Sequence, residues 1–170
     1  MTAPTLYILS GLPATGKSTV AQAVARRLGA AYVRIDTIEQ ALRDLCSVDI
    51  KGEGYRLAYR VAADNLRLGV SVVADSCNPV ELTRREWERT AADAGALYLN
   101  IEVMCSDLKE HRSRVETRQG TVQGLRLPTW QEVSARPYDR WTTERIVLDT
   151  CGRLPEECVD ELLAAMRREA

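Results

Sequence analysis

Short apolar runs alternate along the chain with longer stretches whose apolar residues recur at one-face helical spacing. Leu6–Leu9, Ala31–Ile35, Val70–Ala74, Ala96–Met104 and Arg145–Leu148 read as five strands. Between them, Ala21, Val24, Ala25 and Leu28 mark a first helix, closed by Gly29. Ile38, Leu42 and Leu45 mark a second, with Thr37 as its expected cap, and Tyr55, Tyr59, Ala62, Ala63 and Leu66 mark a third. A fourth is expected from Pro79 through Leu82, Trp87 and Ala91 to Gly95. A polar helix follows from Ser106 or Asp107 to Gln119, broken by Gly120 to Pro128, and another near Thr129 to Arg140. Pro155 opens a last helix with the stripe Val159, Leu162, Leu163, Met166.

Such alternation predicts an α/β fold in which helices cover both faces of a parallel sheet. In these folds ligands bind beyond the carboxyl ends of the strands, which puts Asp36, Asp75 and Thr150 in view. The chain has 170 residues, a formal net charge of -1 and 28% charged residues, as expected for one soluble domain over residues 1–170. That balance gives no global attraction to nucleic acid or to an anionic membrane. No apolar run approaches a membrane span, and Met1–Pro4 does not read as a signal peptide, so a cytoplasmic setting is expected. Cys46, Cys77, Cys105, Cys151 and Cys158 are widely spaced with no C-x-x-C, and His111 is the single histidine. The spacing therefore suggests neither a zinc site nor a disulfide framework. Oligomeric state is not legible.

The specific chemistry lies after the first strand, where Gly11-Leu12-Pro13-Ala14-Thr15-Gly16-Lys17-Ser18 fits G-x-x-x-x-G-K-[ST], the Walker A phosphate-binding loop. Its glycines let the backbone curl so that successive N–H groups, through Thr19 in the opening helix, face the phosphates of ATP. Lys17 then reaches the β- and γ-phosphates, and the Ser18 hydroxyl ligates Mg²⁺. Asp75 is expected as the second metal-supporting carboxylate, with turn capping in Asp75–Pro79 as its alternative role. Asp36 is expected to accept a proton from an acceptor hydroxyl or to hold a water on Mg²⁺, with N-capping of the second helix as its alternative.

Arg114 and Arg118 lie four apart on the polar helix, beside the Gly-containing break. A mobile lid over about 112–128 would bring them onto ATP, where their charge stabilises the transferred phosphoryl. Arg112 and Lys109 share that helix with Glu110 and Glu116, which suit solvated intrahelical pairs. His111 is expected at the surface. Tyr138 and Trp141 are expected to line a pocket or pack in the core, and Thr150-Cys151-Gly152 to pass beside the adenine.

The order of Gly11–Thr19, Val33–Ile38, Val72–Ser76, Arg114–Arg118 and Val147–Thr150 resembles the small P-loop kinases of the predicted-kinase group that includes polynucleotide 5′-hydroxyl kinase domains. Adenylylsulfate, gluconate and shikimate kinases and chloramphenicol phosphotransferase are more distant relatives in form. The resemblance implies a three-layer P-loop NTPase fold with strand order 2-3-1-4-5. It also implies a base at Asp36 and phosphate-binding lid arginines at Arg114 and Arg118. Two departures stand out: Glu39 occupies a position where many relatives have Arg, and Arg34 one where shikimate kinases have an acid. The absence of N-K-x-D argues against a GTPase switch, L-S-G-G-Q is absent as well, and the chain is too short for a typical AAA motor.

The leading expectation is an ATP- and Mg²⁺-dependent kinase acting on the hydroxyl of a small-molecule acceptor. A polynucleotide 5′-hydroxyl kinase, disfavoured by charge, and an ATP-binding regulatory module without transfer are the alternatives.

Overall fold

The computed structural model describes residues 3–169. The elements run β1 (Thr5–Ser10), α1 (Lys17–Leu28), β2 (Ala31–Arg34), α2 (Ile35–Cys46), α3 (Glu53–Arg67) and β3 (Val72–Asp75). They continue with α4 (Glu81–Asp93), β4 (Leu97–Met104), α5 (Leu108–Thr117), α6 (Trp130–Ser134), β5 (Ile146–Asp149) and α7 (Pro155–Glu169). The sheet order is β2-β3-β1-β4-β5, with every neighbouring pair parallel. The expected three-layer α/β fold and strand order are both present.

The period-two geometry of strands sorts the apolar residues into two cores. Leu6 and Ile8 point to the face covered by α3 and α4, where they pack with Val33, Ala58, Ala62, Leu66, Val72, Ala74 and Trp87. Leu9 points to the opposite face, where α1 and α7 bring Val20, Val24, Val159 and Leu162 against Val73, Ile101 and Leu148. The stripe read along α7 is buried as expected. Because β1 and β3 are covered on both faces, their carboxyl ends are held rigidly side by side, with Leu9 in register with Asp75.

Several boundaries differ from the sequence reading. β2 ends at Arg34 and α2 begins at Ile35, so Asp36 lies in the first helical turn rather than at a strand end, and Thr37 is not the cap. Ile35 is buried in the same core as Val33, which imitates strand alternation across a strand-to-helix turn. Leu45 and Leu82 are exposed, so neither belongs to the buried face of its helix. α4 starts at Glu81, two residues after Pro79.

The helix expected over Thr129 to Arg140 shrinks to Trp130–Ser134. Thr129 and Glu132 form a capping box at its start, while Pro137 restricts the residue before it to extended backbone. Tyr138 and Trp141 therefore fall outside any helix. They lie against Arg84, whose guanidinium carbon is 4.8 Å and 4.1 Å from their ring centroids. Arg84 is buried and donates from Nε to the Asn78 carbonyl at 2.9 Å and from Nη2 to the Asp139 carbonyl at 3.0 Å. It ties the turn after β3 to the segment that follows α6.

Just beyond β1, Gly11 packs directly against β4. Its φ is 145°, and a Cβ placed there would sit 2.2 Å from the Val103 carbonyl oxygen in β4. Gly11→Ala is expected to destabilise the fold by about 1–3 kcal/mol, as overpacking does, read as a lower urea midpoint. An unchanged midpoint would show that β4 yields freely.

Candidate active site

The loop between β1 and α1 is held from three directions. The Gly11 N–H donates to the Cys77 carbonyl at 3.1 Å, and the Thr15 hydroxyl donates to the Leu12 carbonyl at 3.1 Å. The Thr150 hydroxyl donates to the Thr15 carbonyl at 2.8 Å. His111, expected at the surface, is buried: its Nε2 lies 2.8 Å from the Pro13 carbonyl, to which it must donate, and its ring meets Trp130 edge-on. α5 is amphipathic only through His111 and Val115, too sparse a pattern to reveal that inward face. Ala14 and Gly16 both take positive φ, which turns the loop into the start of α1.

A buried charge pair lies beneath the loop. Lys17 Nζ donates to Asp75 Oδ1 at 3.1 Å, with the two side chains 12% and 1% exposed. The Tyr32 hydroxyl donates to Asp75 Oδ2 at 2.6 Å, and Arg34 Nε lies 3.7 Å from the same oxygen. Parallel register makes this possible, since Arg34 pairs with Asp75 along β2 and β3 and Tyr32 with Val73. Burial alone would push the Asp75 carboxyl up, but Lys17 and hydrogen bonds from Tyr32 and Ser18 outweigh it and hold the group below its ordinary range. Burial would likewise push Lys17 down. The Asp75 carboxylate, with smaller help from Cys77 and Asp36, holds it above its ordinary value instead.

Two cavities open beside this pair. One, of about 320 Å³, lies along the loop and is lined by Gly16, Lys17, Thr19, Arg114, Thr150 and Arg153 among others. The other, of about 330 Å³, is lined by Asp36, Glu39, Arg43, Asp75, Cys77 and Arg136 among others. Lys17, Ser18, Arg34 and Arg118 border both. The sequence-predicted residues are thus brought together, but on different walls: Arg114 faces only the first cavity, Asp36 only the second, and Arg118 the junction.

Asp36 is half-exposed and makes no capping hydrogen bond; its nearest cation is Arg34, at 3.8 Å. The N-capping alternative for Asp36 is therefore absent. Arg114 donates from Nη1 to the Thr150 hydroxyl at 2.7 Å and from Nη2 to the Thr150 carbonyl at 2.8 Å, besides pairing with Glu110 at 2.5 Å. Arg112 pairs with Glu116 at the surface.

Arg118 has left the helix for extended backbone, and its buried Nε has no partner. Burial lowers its pKa and Asp36 opposes the shift, while Arg136 and Arg34 add to the lowering by like charge. Such an uncompensated guanidinium is suited to an incoming anion. Glu39, at the departure noted above, lies 3.4 Å from Arg43 one turn on, so α2 still carries a guanidinium to that cavity. Gly54 makes room for Glu39, because a Cβ there would meet its Cγ at 2.3 Å.

Tyr32, His111, Arg43 and Arg136 were not recognised as site residues from the chain alone. The buried carboxylate and the Ser18 hydroxyl beside it form a hard-oxygen donor set of the kind Mg²⁺ takes.

Removing Lys17 leaves Asp75 buried without its strongest partner. Lys17→Met is expected to destabilise the nucleotide-free protein by about 3–5 kcal/mol, read by urea unfolding. Lys17→Met/Asp75→Asn should recover much of that loss. Equal stability of Lys17→Met and the parent would mean that the pair does not hold the site.

With the geometry established, similarity to known proteins agrees with it. The chain is 31% identical over 173 residues to a shikimate kinase from Frankia casuarinae, covering 95% of this chain and 72% of that protein. An APS kinase, CysC, from Mycobacterium tuberculosis, solved with AMPPNP and APS, superposes with a TM-score of 0.73 at 21% identity, over 98% of this chain and 99% of that one. A gluconokinase from Sinorhizobium meliloti superposes with a TM-score of 0.67 at 19% identity, over 100% and 95%. These two share the fold. The sequence pattern of the family described as AAA domain matches residues 6–137, so the chain belongs to the AAA-domain family and is built as a small P-loop kinase.

Proposed function

We propose that this protein is an ATP- and Mg²⁺-dependent kinase that transfers the γ-phosphoryl group to a hydroxyl of a small molecule. The observation that carries the reading is the meeting of two cavities at Lys17, Ser18, Arg34 and Arg118, with the carboxylate of Asp36 on the far side. The APS kinase solved with both AMPPNP and APS supports a donor and an acceptor bound together, and the shikimate kinase relative supports kinase chemistry.

In this reading ATP lies in the first cavity with its phosphates along Gly11–Thr19, and the γ-phosphoryl stands at the junction. Lys17 and the loop N–H groups hold the phosphates, and Arg114 meets them from α5. Ser18 and Asp75 would hold Mg²⁺, which would neutralise charge on the phosphate oxygens. Asp36 takes the acceptor proton as the new O–P bond forms and the bond to the ADP oxygen breaks. Arg118 faces the charge that spreads over the transferred group. Of the lid expected over about 112–128, residues 112–117 belong to α5, and the remainder, 118–128, tied to β2 by Arg34 donating to the Thr121 hydroxyl at 2.9 Å, is the part that would move. Arg34 holds this place where shikimate kinases have an acid, so an acceptor other than shikimate is proposed.

Labelled-ATP transfer against alcohols, sugars, nucleosides, antibiotics and 5′-hydroxyl oligonucleotides tests the reading. Label on one small hydroxyl compound is expected. Salt-sensitive labelling of oligonucleotides would support the end-kinase alternative, and tight ATP binding with no transfer would support a regulatory module. With the acceptor in hand, Asp36→Asn should lower kcat by about 10²–10⁴-fold while sparing ATP binding. Unchanged turnover removes Asp36 from the mechanism. Arg118→Ala should lower kcat by about 10²–10³-fold, and an effect confined to KM for ATP would place Arg118 on the ground state alone.

A further inference from the structure

The thiols that sequence spacing left apart are partly gathered by the fold. Cys105 follows β4, Glu110 lies in α5 and Cys151 follows β5, at the carboxyl edge of the sheet beside the first cavity. Their ligand atoms all lie within 4.8 Å of one another, the single such cluster of three among the described residues. We propose that Cys105, Glu110 and Cys151 form a binding site for one borderline-soft divalent cation of the zinc class.

The hydrogen bonding favours a cation there. The Cys151 thiol donates to Glu110 Oε2 at 3.2 Å, and the Gly152 N–H reaches the same oxygen at 2.9 Å. A metal ion takes the place of that thiol proton, bonded to sulfur at about 2.3 Å and to oxygen at about 2.0–2.2 Å. Those lengths need an S···O separation only slightly wider than the one present. Cys105 closes a third position by giving up the hydrogen bond its thiol donates to the Asp107 carbonyl at 3.7 Å, and its proton also leaves to solvent.

Two thiolates and one carboxylate around a divalent ion leave one net negative charge. Arg114 on Glu110 Oε1 offsets it and fixes the carboxylate from the outer shell. Glu110 and Cys151 are half-buried, so an ion enters from their side, and its fourth position stays open to water. The mixed thiolate and carboxylate set favours zinc-class ions over Mg²⁺. Bound metal would join the ends of β4, α5 and β5 and so fix Arg114 and Thr150, which line the first cavity.

The test titrates reduced full-length protein with Cd²⁺ and follows the thiolate-to-metal ultraviolet absorption, with Zn²⁺ as competitor. One equivalent is expected to saturate the band, and Zn²⁺ should displace it and raise the melting temperature. Cys105→Ser and Cys151→Ser should each weaken binding at least tenfold, and Glu110→Gln should weaken it several-fold. Cys46→Ser and Cys77→Ser should bind as the parent does. Circular dichroism confirms that each variant is folded, and Glu110→Gln, which keeps both thiols, covers the case in which a buried Ser disturbs packing. No stoichiometric band, or a band that survives in folded Cys105→Ser and Cys151→Ser, would overturn the proposal.

Discussion

The buried pairing of Lys17 with Asp75 is the constraint on which the site depends. A carboxylate 1% exposed at the end of a central strand is tolerable only while a cation and hydrogen-bond donors surround it. Lys17, Tyr32 and Ser18 supply them, and Arg34 adds charge from the neighbouring strand. The same contacts draw β2, β3 and the start of α1 to one point, so satisfying Asp75 also positions Lys17. Two covered faces of the sheet leave that point little room to relax.

Around the pair, positive charge is arranged unevenly. Most arginines near the second cavity have acidic partners: Arg43 has Glu39 and Arg126 has Glu132. Among the described residues Arg118 and Arg136 have no ion pair, whereas Arg34 lies within 4 Å of both Asp36 and Asp75. Of these two unpaired guanidinium groups, Arg118 borders both cavities and Arg136 only the second. Arg84 contributes indirectly by anchoring the turn that carries Cys77 to the segment beyond Arg136.

The sheet, its strand order and the loop at Gly11–Ser18 were legible because each rests on local pattern or on a motif with one structural meaning. Asp75 was legible because a hydrophobic strand ends on it. Asp36 reads in the sequence as the end of β2 but lies in the first turn of α2, since Ile35 continues the apolar alternation of β2 while already being helical. Tyr32 and His111 were missed because their roles depend on partners 43 and 98 residues away in the chain. Nothing local distinguishes a tyrosine in an edge strand that reaches a carboxylate from one that only packs. The grouping of Cys105 with Cys151 is of the same kind, since parallel pairing of β4 with β5 brings their ends together.

The central claim is that one γ-phosphoryl group stands at the junction of two cavities, facing Asp36. A structure of the protein with Mg²⁺ and a non-hydrolysable ATP analogue tests it most directly. The account predicts the terminal phosphate in contact with Lys17, Ser18 and Arg118, with its free side toward Asp36. A triphosphate lying elsewhere, or a terminal phosphate turned away from the second cavity, would contradict it.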